Sequence, residues 1–216
     1  MLASAPLLLA LDTSTSTASV ALFDGQRVLS ETTWRAGREH STRVLLEVQA
    51  ALARVSLAPE SLTGVVVARG PGSFTGVRVA LSLAMGISAG LSLPVWGVSS
   101  LDALAHAADE EVVPVRAVLE AGRGRFATGL YLNGRGIEDQ RLATLEQLDE
   151  LTQTPTRIIG ELAEAARTRL EQNVNARLAP PAACLRRSGF LAELGWRAAL
   201  SGDPGDPRAL DALYVS

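Results

Sequence analysis

The apolar runs of this chain follow one order of elements twice, and this repetition limits the fold more than any other feature. In the first half, three strands lead to a helix, a strand, a helix, a strand and a helix. The same order returns after the acidic run at 109–111. Hairpins followed by strand–helix–strand crossovers predict two mixed sheets flanked by helices. We therefore expect a duplicated α/β fold with domains at 1–108 and 109–216, the final segment being able to pack back on the first domain.

Local spacing predicts the elements of the first half. Asp24-Gly25 readily takes the positive φ angles of a two-residue turn, so a hairpin is expected there. From position 41, apolar residues recur at helical spacing as far as Val55, and Pro59 follows. A continuous apolar run at 63–68 predicts a buried strand, and a turn rich in glycine leads from it into a second helix from about 74 to 91.

Residue usage excludes several kinds of chemistry. All 20 basic residues of the 216-residue chain are arginines, so a Schiff-base lysine and a P-loop lysine are ruled out. His40 and His106 are too far apart for a paired-histidine helix motif, and the lone Cys184 forms neither an internal disulfide nor a zinc cluster. No metal site is expected. The net charge of −3 gives no general attraction for nucleic acid.

The N-terminus lacks the basic start of a secretion signal, and its apolar run at 7–11 ends at Asp12. By inspection, no stretch of about 18 residues is apolar enough to cross a bilayer. A cytoplasmic protein without membrane contact is therefore expected.

A polar turn follows the first strand and is the first candidate for chemistry. Asp12 at the strand end could hold magnesium through water, while the hydroxyls and backbone N–H groups of Thr13 and Ser14 approach phosphate oxygens. Alternatively, the turn is only rich in serine and threonine and satisfies its own backbone. Glu120 ends the first strand of the second half at the equivalent position and suggests a second phosphate loop, although Arg123 and Arg125 would also suit a solvated loop.

The glycine-rich turn at 69–78 is the second candidate. Gly70 and Gly72 flank a proline, and Ser73 or Thr75 can cap the helix that follows. The start of that helix would attract an anion. The alternative is an ordinary strand-to-helix turn, because the run matches neither the Walker spacing nor the dinucleotide fingerprint.

The helix that begins near Phe74 is apolar on nearly every side and carries small residues such as Ala84 and Gly86. One face must cover the sheet, and the other needs separate cover. Together with Leu46 and other off-stripe residues of the preceding helix, it could form an apolar platform for a partner. The alternative is that both helices lie inside the core.

Three separated segments together resemble the TsaB family, also called YeaZ. This family provides the non-catalytic dimerisation subunit of the bacterial complex that installs threonylcarbamoyl on N6 of the adenosine beside the tRNA anticodon. The resemblance is specific over about the first hundred residues and thinner beyond them. The segments are 9–14 (LALDTS), 38–41 (REHS) and 70–78 (GPGSFTGVR), with weaker support from 118–121 (VLEA), Gly124 and 213–215 (LYV).

The resemblance implies an actin-like fold (ASKHA, ribonuclease H-like) and a subunit that is not an enzyme by itself. It implies pairing with TsaD, the catalytic paralogue, together with the ATPase TsaE. It also implies a homodimer when TsaD is absent and contact with tRNA only through the complex. Catalytic residues and a cofactor are not expected.

The resemblance places the partner surface on the two helices that begin near His40 and Phe74. The residues expected at this interface are His40, Val44, Leu45, Val48, Ser73, Phe74, Val77, Arg78, Leu81 and Met85.

Both candidate phosphate loops depart from related patterns. Kinase-type members of the superfamily have Asp-x-Gly-Thr in the first loop, where this chain has Asp12-Thr13-Ser14-Thr15. In the second loop TsaB proteins usually have Asp-Ala-Arg, whereas this chain has Glu120-Ala121-Gly122. The cofactor-binding candidates are Asp12, Thr13, Ser14 and Glu120. The alternative function is an ATP-dependent kinase or phosphohydrolase that works at Asp12 and Glu120.

Overall fold

The order of elements predicted twice from the sequence is present in the structure, a computed structural model that describes residues 6–37, 40–108 and 112–215. The strands are β1 (Leu8–Asp12), β2 (Thr17–Phe23), β3 (Val28–Arg35), β4 (Gly64–Ala68), β5 (Val95–Val98), β6 (Val115–Glu120), β7 (Phe126–Leu132), β8 (Arg135–Gly136), β9 (Arg141–Ala143), β10 (Thr156–Glu161) and β11 (Ala176–Leu178). The helices are α1 (His40–Arg54), α2 (Phe74–Leu91), α3 (Ser100–His106), α4 (Leu145–Glu150), α5 (Glu164–Leu170) and α6 (Ser188–Leu200).

The first sheet has the strand order β3-β2-β1-β4-β5. Its first three strands are antiparallel, and β4 and β5 continue parallel to β1. Every residue of β1, β2 and β4 is buried, which requires cover on both faces of the sheet.

Helices supply that cover from both sides. Leu9 and Leu11 of β1 share a core cluster with Val44 of α1 and Val77 of α2. Helix α6 packs against all five strands. A side chain at Gly195 of α6 would overlap that of Val66, a residue of β4 outside the α1–α2 cluster. The first sheet is therefore the middle layer, with α1 and α2 on one face and α6 on the other.

The second sheet repeats this plan on a smaller scale. Its order is β11-β10-β6-β7, and both β8 and β9 pair with β7. The third strand expected after Asn133-Gly134 is thus two short strands. Helices α4 and α5 contribute to one core cluster and α3 to another. A partly buried network links β7 to α3, because the Tyr131 hydroxyl donates to Asp102 Oδ1 at 2.7 Å and Gln140 Nε2 donates to the same oxygen at 2.8 Å.

The chain divides into two compact units, Met1–Ser100 with Arg186–Leu213 and Leu101–Leu185 with Tyr214–Ser216. This division differs from the boundary expected at 108/109. Helix α6 belongs to the first unit because it covers a face of the first sheet that would otherwise expose apolar side chains. Most of α3 belongs to the second unit because Leu101 and Leu104 lie in its core.

Helix α2 corrects the expectation that no stretch could span a membrane. It has 18 residues with a mean hydropathy of 1.5, so its length and composition alone would allow a membrane span. A third of this stretch is buried. Its buried residues include Val77, Ala80 and Ala84, which lie in the core cluster of the first sheet. The apolar character of α2 therefore serves the core on one side and remains exposed on another.

Candidate functional site

The polar turn after β1 is folded around the Asp12 carboxylate, of which only 2% is exposed. The backbone N–H and the hydroxyl of Ser14 both donate to Asp12 Oδ1, at 2.8 and 2.6 Å. Thr15 Oγ1 accepts a hydrogen bond from the Thr17 backbone N–H at 3.2 Å. The turn thus satisfies part of its own backbone, as its serine and threonine content allows.

Arg186 fills the rest of this turn. Its Nη1 lies 2.9 and 3.0 Å from the two oxygens of Asp12 and also donates to the Ser14 hydroxyl. Its Nη2 donates to Thr15 Oγ1 at 2.6 Å and to the Thr17 carbonyl oxygen at 2.9 Å. Only 2% of Arg186 is exposed. The guanidinium is a buried, charge-assisted partner for nearly every polar group that the turn directs inward.

This contact argues against the prediction that Asp12, Thr13 and Ser14 bind a cofactor. The carboxylate that would hold hydrated magnesium is neutralised by Arg186, and the hydroxyl of Ser14 points at the same two residues. Thr13 Oγ1 is also committed, because it donates to the Gly76 carbonyl oxygen at 2.6 Å. The turn as folded does not fit a nucleotide phosphate with its metal ion.

Glu120 has a structural contact in the second unit. Its Oε1 accepts a hydrogen bond from the Ala163 backbone N–H at 2.8 Å, directly before α5. An acidic acceptor at the start of a helix is favourable because the first backbone N–H groups lack partners. The geometry therefore explains Glu120 without a ligand.

The glycines of the 70–78 motif allow its loop to pack directly on the polar turn. A side chain at Gly72 would overlap the Ser14 carbonyl oxygen, and one at Gly76 would overlap the Thr13 carbonyl oxygen. The Ser73 backbone N–H donates to the same Ser14 oxygen at 2.6 Å. The motif is thus required by close packing within the first unit.

Ser73 is the N-cap of α2, as one of the two alternatives predicted. Its hydroxyl accepts from the Gly76 backbone N–H at 3.3 Å. Ser100 joins the same region, since its N–H donates to the Gly70 carbonyl oxygen at 2.8 Å and its hydroxyl donates to Ser14 Oγ at 2.9 Å. One hydrogen-bonded cluster therefore unites the polar turn and the motif.

Four residues predicted at the partner interface are instead part of the core. Val44, Val48, Val77 and Leu81 are at most 8% exposed and lie in the cluster beneath α1 and α2. Their spacing of three or four residues marks the stripe of each helix that faces the sheet. These positions are corrected to core residues. His40 begins α1, but its side chain lies outside the described residues.

The remaining predicted residues are exposed, and so is Leu46, which the sequence placed on the apolar platform but not among the interface residues. On α1, Leu45 is 45% and Leu46 62% exposed; on α2, Phe74 is 57% and Met85 45% exposed. We call these four side chains the α1–α2 apolar surface. The two helices pack against each other, and among the described residues these four are their exposed large apolar side chains.

Charge is scarce beside the α1–α2 apolar surface. Arg78 is the single charged residue of α2, and its guanidinium lies 3.6 Å from the centroid of the Phe74 ring. On α1, Arg43 and Arg54 both pair with Glu47, at 3.2 and 3.8 Å. Added side chains at Gly86 and Gly90 of α2 would meet nothing within 4 Å. The surface combines large apolar side chains with open space beside two glycines.

No metal-binding group was found in the described part of the chain: His, Cys, Asp and Glu nowhere gather there in a set of three or more that could hold an ion.

Comparisons with known proteins identify relatives of this chain. A family model described as "TsaD: tRNA N6-adenosine threonylcarbamoyltransferase" matches residues 33–182. The tRNA threonylcarbamoyladenosine biosynthesis protein TsaB of Bacillus subtilis is 36% identical over 133 residues, which cover 62% of this chain and 58% of that protein. Its Escherichia coli counterpart is 39% identical over 101 residues, covering 47% and 43%. The chain spans about half the length of the curated relatives it matches.

Solved structures match over nearly the whole chain. YeaZ from Pseudomonas aeruginosa superposes with a TM-score of 0.82 at 28% identity, covering 97% of this chain and all of that one. The activator of the 2-hydroxyisocaproyl-CoA dehydratase from Clostridium difficile, solved with bound ADPNP, superposes with a TM-score of 0.58 at 11% identity, covering 97% of this chain and 100% of that one. The second likeness shows the fold alone.

The repeated sheets and these likenesses define a protein of the actin-like (ASKHA) class with mixed sheets flanked by helices. Within that class, the chain belongs to the family that the TsaD model describes. Its likeness to TsaB proteins and to YeaZ makes it a member of the TsaB (YeaZ) family.

Proposed function

We propose that this chain is a non-catalytic scaffold and activator that pairs with TsaD in the complex that transfers threonylcarbamoyl to N6 of the tRNA adenosine beside the anticodon. The observation that carries the proposal is the α1–α2 apolar surface. A match to the TsaD family model supports TsaD as the partner, because related folds can present equivalent helices to each other.

The energetics favour a partner at this surface. Leu46 and Phe74 each leave more than half of their surface in water, and Leu45 and Met85 nearly half. Covering such side chains is favourable by about 25 cal/mol per Å² of apolar surface removed from water. A stable interface of about 1,600 Å² usually depends on a few central anchors, and we infer that these four residues are anchors.

The backbone of α2 also suits close helix packing. Gly86 and Gly90 follow Met85 on the exposed side, with open space where side chains would stand. Small residues let a facing helix approach closely, since the distance between packed helices depends on the side chains at the contact. A helix of the partner would lie beside Met85 over these glycines.

The polar turn supports a role without chemistry. Arg186 occupies the inward-facing groups of the turn that would otherwise be the first phosphate loop. The contacts of Asp12 with Arg186 and of Glu120 with the Ala163 N–H argue against the alternative of a kinase or phosphohydrolase working at these two residues. We infer that the catalytic groups come from TsaD, that TsaE joins the pair, and that tRNA is reached through the complex. In the absence of TsaD, the same surface would form a homodimer. We expect this assembly in the cytoplasm and away from membranes.

The experiment is a titration of the chain with TsaD of the same organism, followed by sedimentation velocity. Met85→Glu and Leu46→Glu place a charge in the proposed contact while starting from exposed positions. We expect each substitution to raise the dissociation constant at least about 100-fold, which is the effect of losing a central anchor. Leu81→Glu is unsuitable because Leu81 is buried.

Leu200→Glu is the matched control. Leu200 is 67% exposed on α6 of the same unit and outside the α1–α2 apolar surface. It should leave both folding and pairing unchanged. If Met85→Glu and Leu46→Glu retain their circular dichroism spectra and pair as tightly as Leu200→Glu, this surface is not where TsaD binds.

A further inference from the structure

Two exposed arginines stand at the tip of the hairpin between β6 and β7. Arg123 and Arg125 alternate with glycines in the sequence Gly122-Arg123-Gly124-Arg125. The turn is closed by backbone hydrogen bonds from Ala121 N–H to the Arg125 oxygen at 2.8 Å and from Arg125 N–H to the Gly122 oxygen at 3.1 Å. The tip is therefore a defined turn that fixes where the two arginines leave the backbone.

The backbone of this tip is unusual. Gly122, Arg123 and Gly124 have φ angles of +77°, +54° and +68°, three successive left-handed residues. Glycine adopts this conformation freely, whereas an arginine in it costs conformational energy. A glycine would be the easier residue at position 123, so the arginine points to a use of its side chain.

The charges of the two arginines are uncommitted. Within the described ranges 6–37, 40–108 and 112–215, no ion pair involves Arg123 or Arg125, while arginines such as Arg116 and Arg169 each face a carboxylate. The neighbouring Glu120 is engaged with the Ala163 N–H. Side chains added at Gly122 and Gly124 would meet nothing within 4 Å. Both arginines are themselves exposed.

We propose that this hairpin tip, residues 122–125, contacts the phosphate backbone of RNA. Guanidinium groups bind phosphate through two parallel hydrogen bonds, and glycine neighbours leave their planes open for stacking on bases. Because the chain has a net charge of −3, RNA is not attracted by its overall field and needs local contacts of this kind. The inference rests on the proposed function, in which the complex acts on tRNA, and adds a direct contact made by this subunit.

The test measures tRNA binding by the full chain, alone and paired with TsaD, using an unmodified transcript with an adenosine beside its anticodon. The variant Arg123→Gly with Arg125→Gln removes both charges and places glycine where the backbone favours it. Its folding should be unimpaired, whereas its affinity for tRNA should fall about tenfold or more at 0.1 M salt. The slope of log affinity against log salt should become shallower by about 1.4 to 1.8, corresponding to two lost phosphate contacts.

Arg135→Ala is the matched control, because Arg135 is exposed and flanked by glycines at the other end of β7. It should reduce tRNA affinity far less. An equal loss in both proteins would mean general charge attraction and would overturn the inference. So would unchanged tRNA affinity in the double variant, or wild-type protein that binds no tRNA at 50 mM salt in either form.

Two further outcomes separate this inference from the proposed function. If the double variant binds TsaD more weakly but tRNA as well as before, the tip contacts an acidic protein surface and the RNA inference is wrong. If wild type fails to pair with TsaD, the proposed function is wrong. The RNA inference then depends on the chain alone, and a preserved difference between wild type and variant supports it.

Discussion

Replacing Arg186 by methionine removes the cation from the buried polar turn, while the new side chain still fills most of the length that the arginine occupied. Asp12 would then remain as a carboxylate that is 2% exposed and has no positive partner there. The hydroxyl of Thr15 and the carbonyl oxygen of Thr17 would each lose a donor at 2.6 and 2.9 Å. We predict that this single change strongly destabilises the first unit.

The magnitude follows from the asymmetry of buried ion pairs. Removing one partner leaves an uncompensated charge and typically costs about 3–5 kcal/mol. Replacing both partners costs less, because no charge remains buried. The double variant Asp12→Asn with Arg186→Met should therefore be more stable than the sum of the two single changes predicts, with a coupling energy of about 2–3 kcal/mol.

Urea unfolding followed by tryptophan fluorescence measures this effect. The three tryptophans, Trp34, Trp96 and Trp196, all lie in the first unit, so the signal reports that unit. If the free energy of unfolding falls by about 3 kcal/mol per M urea, the urea concentration at the unfolding midpoint should be about 1 to 2 M lower for Arg186→Met than for wild type.

Arg27→Met provides the comparison, since Arg27 is 77% exposed in its pair with Asp24. It should change the free energy of unfolding by no more than about 0.5 kcal/mol. The reasoning fails if Arg186→Met costs as little as Arg27→Met, or if the costs of the Asp12→Asn and Arg186→Met changes simply add.

Other consequences concern packing, pH and nucleotide binding. In thermal melts, Gly76→Ala should destabilise the first unit by about 1–3 kcal/mol, because its side chain would overlap the polar turn. Gly86→Ala has open space around it and should stabilise the unit by about 0.5–1 kcal/mol. Equal effects of the two changes would contradict the packing. Burial, together with the nearby Asp102 carboxylate, raises the pKa of Tyr131 above its ordinary value of 10.0. The protonated Tyr131 hydroxyl should therefore contribute fully to the free energy of unfolding below pH 10, and this contribution should be lost as the pH rises above 10. Unfolding curves of Tyr131→Phe should lack this loss. Calorimetry with magnesium and ATP should give no heat of binding to the first unit, because Arg186 fills the loop; micromolar binding would refute this.

Much of the fold was predictable because its signals are local. Apolar runs and helical spacing identified both sets of strands and helices, and Asp24-Gly25 marks the hairpin between β2 and β3. The predicted second helix, from about 74 to 91, coincides with α2. Such features depend on residues that are neighbours along the chain, so one sequence is enough to recognise them.

The polar turn was harder because its main partner is distant. Position 186 is far along the chain from Asp12, and no local pattern distinguishes Arg186 from the other arginines. A buried carboxylate requires a partner, but the sequence does not say which of 20 arginines supplies it. For the same reason, the sequence allowed the final segment to pack on the first domain but did not show that α6 covers the first sheet.

The interface prediction was too broad because the sequence of a helix that is apolar on nearly every side does not show which face is buried. Val77 and Met85 are both apolar residues of α2, yet one lies in the core and the other is 45% exposed. The position of the sheet decides between them. The small residues Ala80 and Ala84 are buried, whereas Gly86 and Gly90 are exposed, so residue size was equally ambiguous.

Hydrogen–deuterium exchange of the chain, diluted until its homodimer dissociates and then saturated with TsaD, tests the central claim most directly. A docking surface on α1 and α2 predicts that slowed exchange is concentrated in His40–Arg54 and Phe74–Leu91, with α6 unchanged. Unaltered exchange in both helices at saturation, or protection confined to other segments, would contradict it.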